Sequence, residues 1–194
     1  MALPSTFRNM LIVLTVVSLT SSLALGLVYE YTKGPIAAAR LAKQVKAVDE
    51  VVPPYNNNPV QEKFKAAVPG TSDSLECFPA RQDSVLTGMA IRTFSSKGYS
   101  GEIWLMAGFE KDGTIRNLIV TDHKETPGLG SKMTEPRFLQ QFLGKNPATF
   151  TLKVKKDGGA VDGITGATIS SRAFCQAVQV AYETYQQQSH GSRP

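Results

Sequence analysis

Two short segments hold the residue types from which chemistry could be built. The first is Asp162-Gly163-Ile164-Thr165-Gly166-Ala167-Thr168, which runs straight into a stretch of helical periodicity. Gly163 and Gly166 allow a tight turn and a close backbone approach to a ligand, and Ala167 adds little bulk. The first-turn N–H groups of a helix have no intrahelical acceptor, and with the helix dipole they favour an anion. Thr165, Thr168, Ser170 and Ser171 put hydroxyls at the same place. A phosphate site fits these residues. An ordinary Ser/Thr helix cap fits them too. A P-loop does not, because GxxxxGKS/T is absent.

The second segment is Asp122-His123-Lys124-Glu125-Thr126-Pro127-Gly128-Leu129-Gly130-Ser131-Lys132. Pro127 stiffens the loop, and the glycines let a flat ligand come close. The plainer alternative is a strand-to-helix connection.

Other chemistries find no support. No paired acid and base and no Ser-His-Asp order is evident. Cys77, His123, Cys175 and His190 lack the spacing of a zinc module. His123 reads as a solvated loop residue and His190 as a residue without a role. Cys77 and Cys175 suit either a disulfide outside the cytoplasm or buried free thiols. The 21 Lys and Arg exceed the 16 Asp and Glu, giving a net charge of +5. They are scattered and not interleaved with aromatics, so no nucleic-acid partner is expected. Charged residues are 19% and apolar ones 42%, which excludes a charged disordered tail and a disulfide scaffold.

The elements that must position these segments follow from periodicity. Val85, Thr87, Met89 and Ile91 alternate as a strand. Ser95 to Gly98 is a turn. Tyr99 to Phe109 and Ile115 to Val120 are two strands joined at Asp112-Gly113. Residues 134–144 read as a helix capped by Thr134, with Phe138, Leu139, Phe142 and Leu143 on one stripe and Gly144 as its stop. Thr149 to Val154 alternates as a further strand. The last helix runs from about Ile169 to Gln187, with Phe174, Ala177, Val178, Ala181 and Tyr185 on its buried face. The fold class is α+β: an antiparallel sheet with packed helices, preceded by one N-terminal transmembrane helix.

That helix is residues 10–29, with no charge between Arg8 and Glu30. Twenty helical residues match a bilayer's hydrocarbon core. A cleaved signal peptide ending at Ser22-Leu23-Ala24 is the rival, but the apolar run continues to Val28, past the usual h-region. Residues 34–50 continue as a helix, with Pro35 near its start and Leu41, Val45 and Val48 on one stripe; Pro53 to Pro59 is a loop. Lys33, Arg40, Lys43 and Lys46 suit lipid headgroups or partner subunits. Counted simply, they place the C-terminal part in the cytoplasm, although the rule weakens before a long domain. The expected divisions are 1–9, the span 10–29, a juxtamembrane helix and linker 30–59, a domain 60–188 and a flexible tail 189–194.

Asp162 to Thr168 resembles the flavinylation motif D-x-x-S/T-G-A-S/T of the FMN-binding domain family, and Ile169-Ser170-Ser171 fits its flank. Glu125 to Gly130 resembles that family's second signature, and Gly98 to Ile103 is similar to its strand opening. The likeness covers about residues 95–185. With one apolar span, the whole chain resembles the G subunits of Rnf-type electron-transport complexes, relatives of the C subunit of sodium-translocating NADH:quinone reductases.

The resemblance implies a covalent FMN joined by its phosphate to Thr168. Thr165, Gly166 and Ala167 would surround the phosphate. Asp162 would shape the loop or help a modifying transferase bind its metal. Glu125, Thr126, Gly128 and Leu129 would lie near the isoalloxazine ring, and Lys132 beside the phosphate or ring. A separate flavin transferase would attach FMN, taking it from FAD with Mg²⁺. The implied role is an electron relay with no catalytic site of its own, inside a complex that couples ferredoxin and NAD(H) electron transfer to ion movement. Partners would be the other Rnf subunits and membrane lipid, with the flavin domain on the outer side of a bacterial inner membrane. A flavin-based sensor and a secreted phosphate-ligand binding protein are the competing readings.

Overall fold

The computed structural model describes residue 4 and residues 6–191. The chain forms two compact units, Met1–Lys43 and Gln44–Pro194. Both share the first helix, α1 (Phe7–Val51).

In the first unit α1 is long and apolar enough to cross a membrane. Its hydroxyls turn back onto its own backbone: Thr20 donates to the Val16 carbonyl at 2.9 Å and Thr32 to that of Val28 at 2.8 Å. Such bonds satisfy polar groups where water is absent. The sequence reads residues 34–50 as a helix continuing out of the span with Pro35 near its start, and one continuous helix is what forms. Pro35 thus lies inside α1, where its missing N–H leaves the carbonyl one turn back without a helical donor.

The second unit is a five-stranded antiparallel meander in the order β1 (Phe64–Ala67), β2 (Ser74–Gln82), β3 (Val85–Ser95), β4 (Ile103–Glu110) and β5 (Ile115–His123). The strand alternation sorts side chains to two covered faces. Met89, Ile91, Leu105, Phe109 and Leu118 pack with Phe174, Ala177, Val178 and Ala181 of the final helix, α3 (Thr168–Gly191). Phe78, Ala80, Ala90 and Met106, on the other face, pack with Val48, Val51 and Val52 at the end of α1. Thr93 reaches α3 as well, donating to the Ala177 carbonyl at 3.0 Å. β4 is buried without a break from Leu105 to Phe109, as expected of a strand covered on both faces.

Several elements differ from their sequence expectation. Residues 134–144 are not one helix: a 3-10 turn (Gly130–Thr134) ends where that helix is expected to begin, and a single helical turn, α2 (Pro136–Leu139), follows. Thr134 does not cap; its hydroxyl donates to the Ser131 carbonyl at 2.9 Å. Phe138 and Phe142 still reach the core, where they meet Phe174 at ring separations of 5.2 and 5.1 Å. Thr149 to Val154 is not a sheet strand. It folds back on residues 160–161 through Ala160 N–H to Thr151 at 3.2 Å and Val161 N–H to Lys153 at 3.0 Å. Leu152 and Val154 are buried because this small lobe tucks under the core, which produces the same alternation. The sheet begins earlier than β3, with β1 and β2, and the final helix continues to Gly191 because no breaker precedes it. Residues 192–194 lie outside the described residues.

Candidate functional site

The 162–168 segment is a loop held from both sides before it enters α3. Asp162 N–H donates to Gln141 Oε1 at 2.7 Å, and Gln141 Nε2 donates to the Asp162 carbonyl at 3.3 Å. Ile164 N–H donates to Ser171 Oγ at 2.9 Å, and Ser171 Oγ donates to the Ala167 carbonyl at 3.0 Å. Gly166 sits at φ +79°, a left-handed conformation that a side chain would strain. The first intrahelical bond runs from Ser171 N–H to the Ala167 carbonyl at 3.1 Å. The Thr168, Ile169 and Ser170 amides therefore precede the helical ladder, where an anion is favoured. Thr168 is half-buried at the first position of α3, while Thr165 and Gly166 are exposed and Ala167 is buried.

The Glu125–Lys132 loop meets this turn. Leu129 lies against Gly166: a Cβ built on Gly166 would stand 3.3 Å from Leu129 Cδ2. Thr126 is exposed, and its carbonyl accepts from Leu129 and Ser131 N–H at 3.2 and 3.3 Å. Gly128 N–H donates to Ser131 Oγ at 2.9 Å, with Gly128 at φ +76°. Lys132 lines a cleft of about 390 Å³ with Arg137, Phe138, Gln141 and Asp162 to Thr165.

Glu125 does not point outward with its neighbours. It is buried, and Ser170 Oγ donates to its Oε2 at 2.6 Å while Ser100 N–H donates to Oε1 at 3.0 Å. His123 is half-buried and not fully solvated; its Nδ1 accepts from Glu125 N–H at 3.2 Å. The Asp162 carboxylate leaves the loop and pairs with Lys155 at 2.7 Å. Arg172 of α3 holds Asp157 through two 2.7 Å bonds, which lower the Asp157 pKa.

Cys77 and Cys175 are free and buried, and burial pushes each thiol up to about 12. The His190 side chain lies outside the described residues. Among the described residues no cluster of three or more His, Cys, Asp or Glu is placed to hold a metal ion.

The ten residues singled out from sequence lie on two adjoining loops, where Glu125 and Ala167 are buried and the Asp162 carboxylate turns away to Lys155. Sequence alone does not single out Gln141. Its segment reads as helix, and nothing local in that pattern shows that its amide faces the 162–168 loop.

Residues 98–183 match the FMN-binding domain family. Over 192 residues the chain is 34% identical to the G subunit of the ion-translocating oxidoreductase complex of Vibrio cholerae, covering 92% of this chain and 91% of that one. The chain belongs to this G-subunit family. The corresponding G subunit of Erwinia tasmaniensis is 37% identical over 158 residues, covering 76% of this chain and 75% of that one. Among solved structures, the C subunit of the Na⁺-translocating NADH-quinone reductase of Parabacteroides distasonis is similar, with TM-score 0.50 and 25% identity over 62% of this chain and 65% of that one. In this member of the G-subunit family, Thr168 is half-buried with unladdered amides behind it, and the neighbouring cleft sets Lys132 and Arg137 beside Glu135 and Asp162.

Proposed function

We propose that this chain is the flavoprotein subunit of an Rnf-type, ion-translocating electron-transport complex, and that its FMN is joined through the phosphate to Thr168 Oγ1. The observation that carries this reading is the position of Thr168. It opens α3, immediately after the left-handed Gly166 and Ala167 and ahead of the helical hydrogen-bond ladder. The diester left by such a link keeps one negative charge, which the Thr168 to Ser170 amides and the positive end of α3 would stabilise.

FMN supplies a ring that accepts and donates electrons one or two at a time. The chain's own residues position it. Gly166 and Ala167 keep the backbone close and slim at the phosphate. Leu129 offers an apolar surface beside that turn. Lys132 and Arg137 supply donors for an anionic group on a cleft wall that Glu135 and Asp162 share. The ester prevents loss of the cofactor and keeps its local concentration high for the neighbouring carriers.

Gln141 clamps the Asp162 backbone, which supports a role for the Asp162 carboxylate other than shaping the loop. Exposed and paired only across the surface with Lys155, it is accessible to a flavin transferase and its metal. Residues 10–29 would anchor the chain in the inner membrane, with the flavin domain on the outer side and the other subunits of the complex beside it.

The test is the mass of the chain made with a flavin transferase. It should exceed the polypeptide by one FMN residue, mapped to Thr168, and Thr168→Val should lose it. A bare Thr168 in peptides from native membranes overturns the covalent reading. A topology reporter that places the C-terminus in the cytoplasm overturns the orientation.

A further inference from the structure

Three lysines stand within four residues on a part of the fold that neither loop motif includes. Residues 153–161 form a small closed lobe. Lys155 N–H donates to the Val161 carbonyl at 2.8 Å, and Val161 N–H donates to the Lys153 carbonyl at 3.0 Å. Two glycines permit the closure. Gly158 turns at φ +78°, and a Cβ on Gly159 would collide with the Lys153 carbonyl. Val154 and Val161 pair across the lobe and are buried, which leaves Lys153, Lys155 and Lys156 exposed.

Side-chain pairs tie this lobe to both ends of the segment that carries Thr168. Ahead of Thr168, Asp162 pairs with Lys155 at 2.7 Å. Beyond it, Arg172 holds Asp157 through two 2.7 Å bonds. Thr168 and Arg172 are four residues apart in α3, so they are neighbours on one side of the helix. A two-point guanidinium–carboxylate pair fixes orientation as well as distance. The two acids of the 153–162 stretch are thereby used within the fold. Lys153 acts on Asp157 only through longer-range attraction, and Lys156 has no ion pair among the described residues. A positive surface therefore stands beside the segment whose hydroxyl has to be reached from outside.

We propose that the Lys153–Lys156 lobe is the docking surface for an acidic face of the enzyme that joins FMN to Thr168. The inference deepens the function proposed above and rests on it. A hydroxyl that becomes a phosphodiester has to be presented to a second protein, and the lobe is tied to the chain on both sides of that hydroxyl. Complementary charge at the edge of a contact speeds encounter and sets its orientation without entering the reaction. In the transfer itself, Thr168 Oγ1 bonds to the FMN phosphorus of FAD, the phosphoanhydride bond breaks, AMP leaves and the hydroxyl proton is released. The lysines take no part in those steps.

The experiment uses the full-length chain in a neutral detergent, with a flavin transferase, FAD and Mg²⁺, and follows flavin on Thr168 by mass against time. Lys153→Glu with Lys156→Glu should raise the KM for the chain several-fold and leave kcat near the parent value. Lys153→Arg with Lys156→Arg should keep the parent KM. Added salt should raise the parent KM and move that of the glutamate variant far less, because mobile ions screen exposed charges. Lys65→Glu with Lys111→Glu makes the same change of charge on β1 and in the β4–β5 turn, and should raise KM little. If the lobe variant unfolds early, Lys156→Glu alone replaces it, since Lys156 makes no ion pair to lose. An unchanged KM in the lobe variant, or an equal rise in the control, overturns the inference. A fall in kcat alone also overturns it, because the lobe would then shape Thr168 and not dock a partner. So does a variant that takes flavin like the parent but binds anionic vesicles or the other subunits less, since the surface would then have another occupant. In each of these cases Thr168 still takes flavin. A parent chain that takes none overturns the function proposed above as well.

Discussion

Gln141 pairs with the backbone of Asp162 in both senses, accepting from its N–H at 2.7 Å and donating to its carbonyl at 3.3 Å. A side-chain amide here does the work of a neighbouring strand. The same Nε2 also reaches the Phe138 carbonyl at 3.2 Å, so the clamp ties α2 to the 162–168 loop. α2 is itself fixed to α3 by the contact of Phe138 with Phe174 at 5.2 Å.

Gln141→Leu should therefore destabilise the fold while Lys155→Ala does not. The leucine removes two hydrogen bonds to the Asp162 backbone, whose exposed groups water takes up again, a net loss of about 0.5–1.5 kcal/mol. Lys155 and Asp162 are both well exposed, and an exposed pair contributes at most about 1 kcal/mol. Thermal unfolding of the full chain in detergent separates the two: a clear drop in Tm for Gln141→Leu, and a shift near zero for Lys155→Ala. Equal shifts would mean that the carboxylate, not the clamp, shapes the loop.

Phe174 is fully buried and touches both Phe138 and Phe142, so it is where α3, α2 and the 140s turn meet. Phe174→Ala should cost about 3–5 kcal/mol, because the ring's apolar area is lost and the site closes only in part. Phe174→Leu keeps most of the volume and should cost about 1.5 kcal/mol or less. Denaturant midpoints would check the order. The larger loss should also loosen the 162–168 loop, read as faster backbone amide exchange there.

The sheet and the final helix are legible in the sequence where one pattern dominates. β3 alternates, the Asp112-Gly113 turn carries Gly113 at φ +85°, and Phe174, Ala177, Val178 and Ala181 keep helical spacing along α3. β2 is hidden because Pro79 interrupts it, and because residues 77–80 are all buried, which removes the two-residue rhythm. The 134–144 stripe misleads for a related reason. Phe138 and Phe142 face one core, but α2 stops at Leu139 and a turn, not a helix, delivers Phe142. At the site, the motif residues are legible from composition and glycine spacing. The partners that hold them, Gln141 and Ser100, are not, since hydrogen bonds across 21 and 25 residues leave no local pattern.

The β2–β3 hairpin turns on Asp83 and Ser84, both at positive φ, 51° and 68°. Asp83 is held there by Asn56, which accepts from its N–H at 3.1 Å and donates to its carboxylate at 2.9 Å. Ser84 carries the conformational cost that glycine avoids in this type of turn. Ser84→Gly should stabilise the chain by about 0.5–1 kcal/mol, whereas Asp83→Gly should gain less because it gives up the Asn56 bonds. A Tm rise of about 1–4 °C for Ser84→Gly is the expected size for a unit of this length. A fall would show that the Ser84 backbone is relieved in some other way.

Alkaline pH should expose the two buried thiols through stability before it does so through reactivity. Cys77 packs in the sheet core and Cys175 in the buried face of α3, and burial raises each pKa from 9.0 to about 12. Between those values the unfolded chain gives up protons that the folded chain retains. The folded state then binds more protons, so stability falls as pH rises. The contribution is whole below pH about 9 and is lost progressively toward pH about 12. Folded protein at neutral pH should resist a thiol reagent, with labelling limited by opening of the core. The double variant Cys77→Ala, Cys175→Ala should show a shallower loss of Tm between pH about 9 and 11 than its parent, although both alanines leave small cavities that lower stability at every pH. The slope, not the absolute Tm, carries the test. Parallel curves for variant and parent would mean that neither thiol resists ionisation in the folded chain.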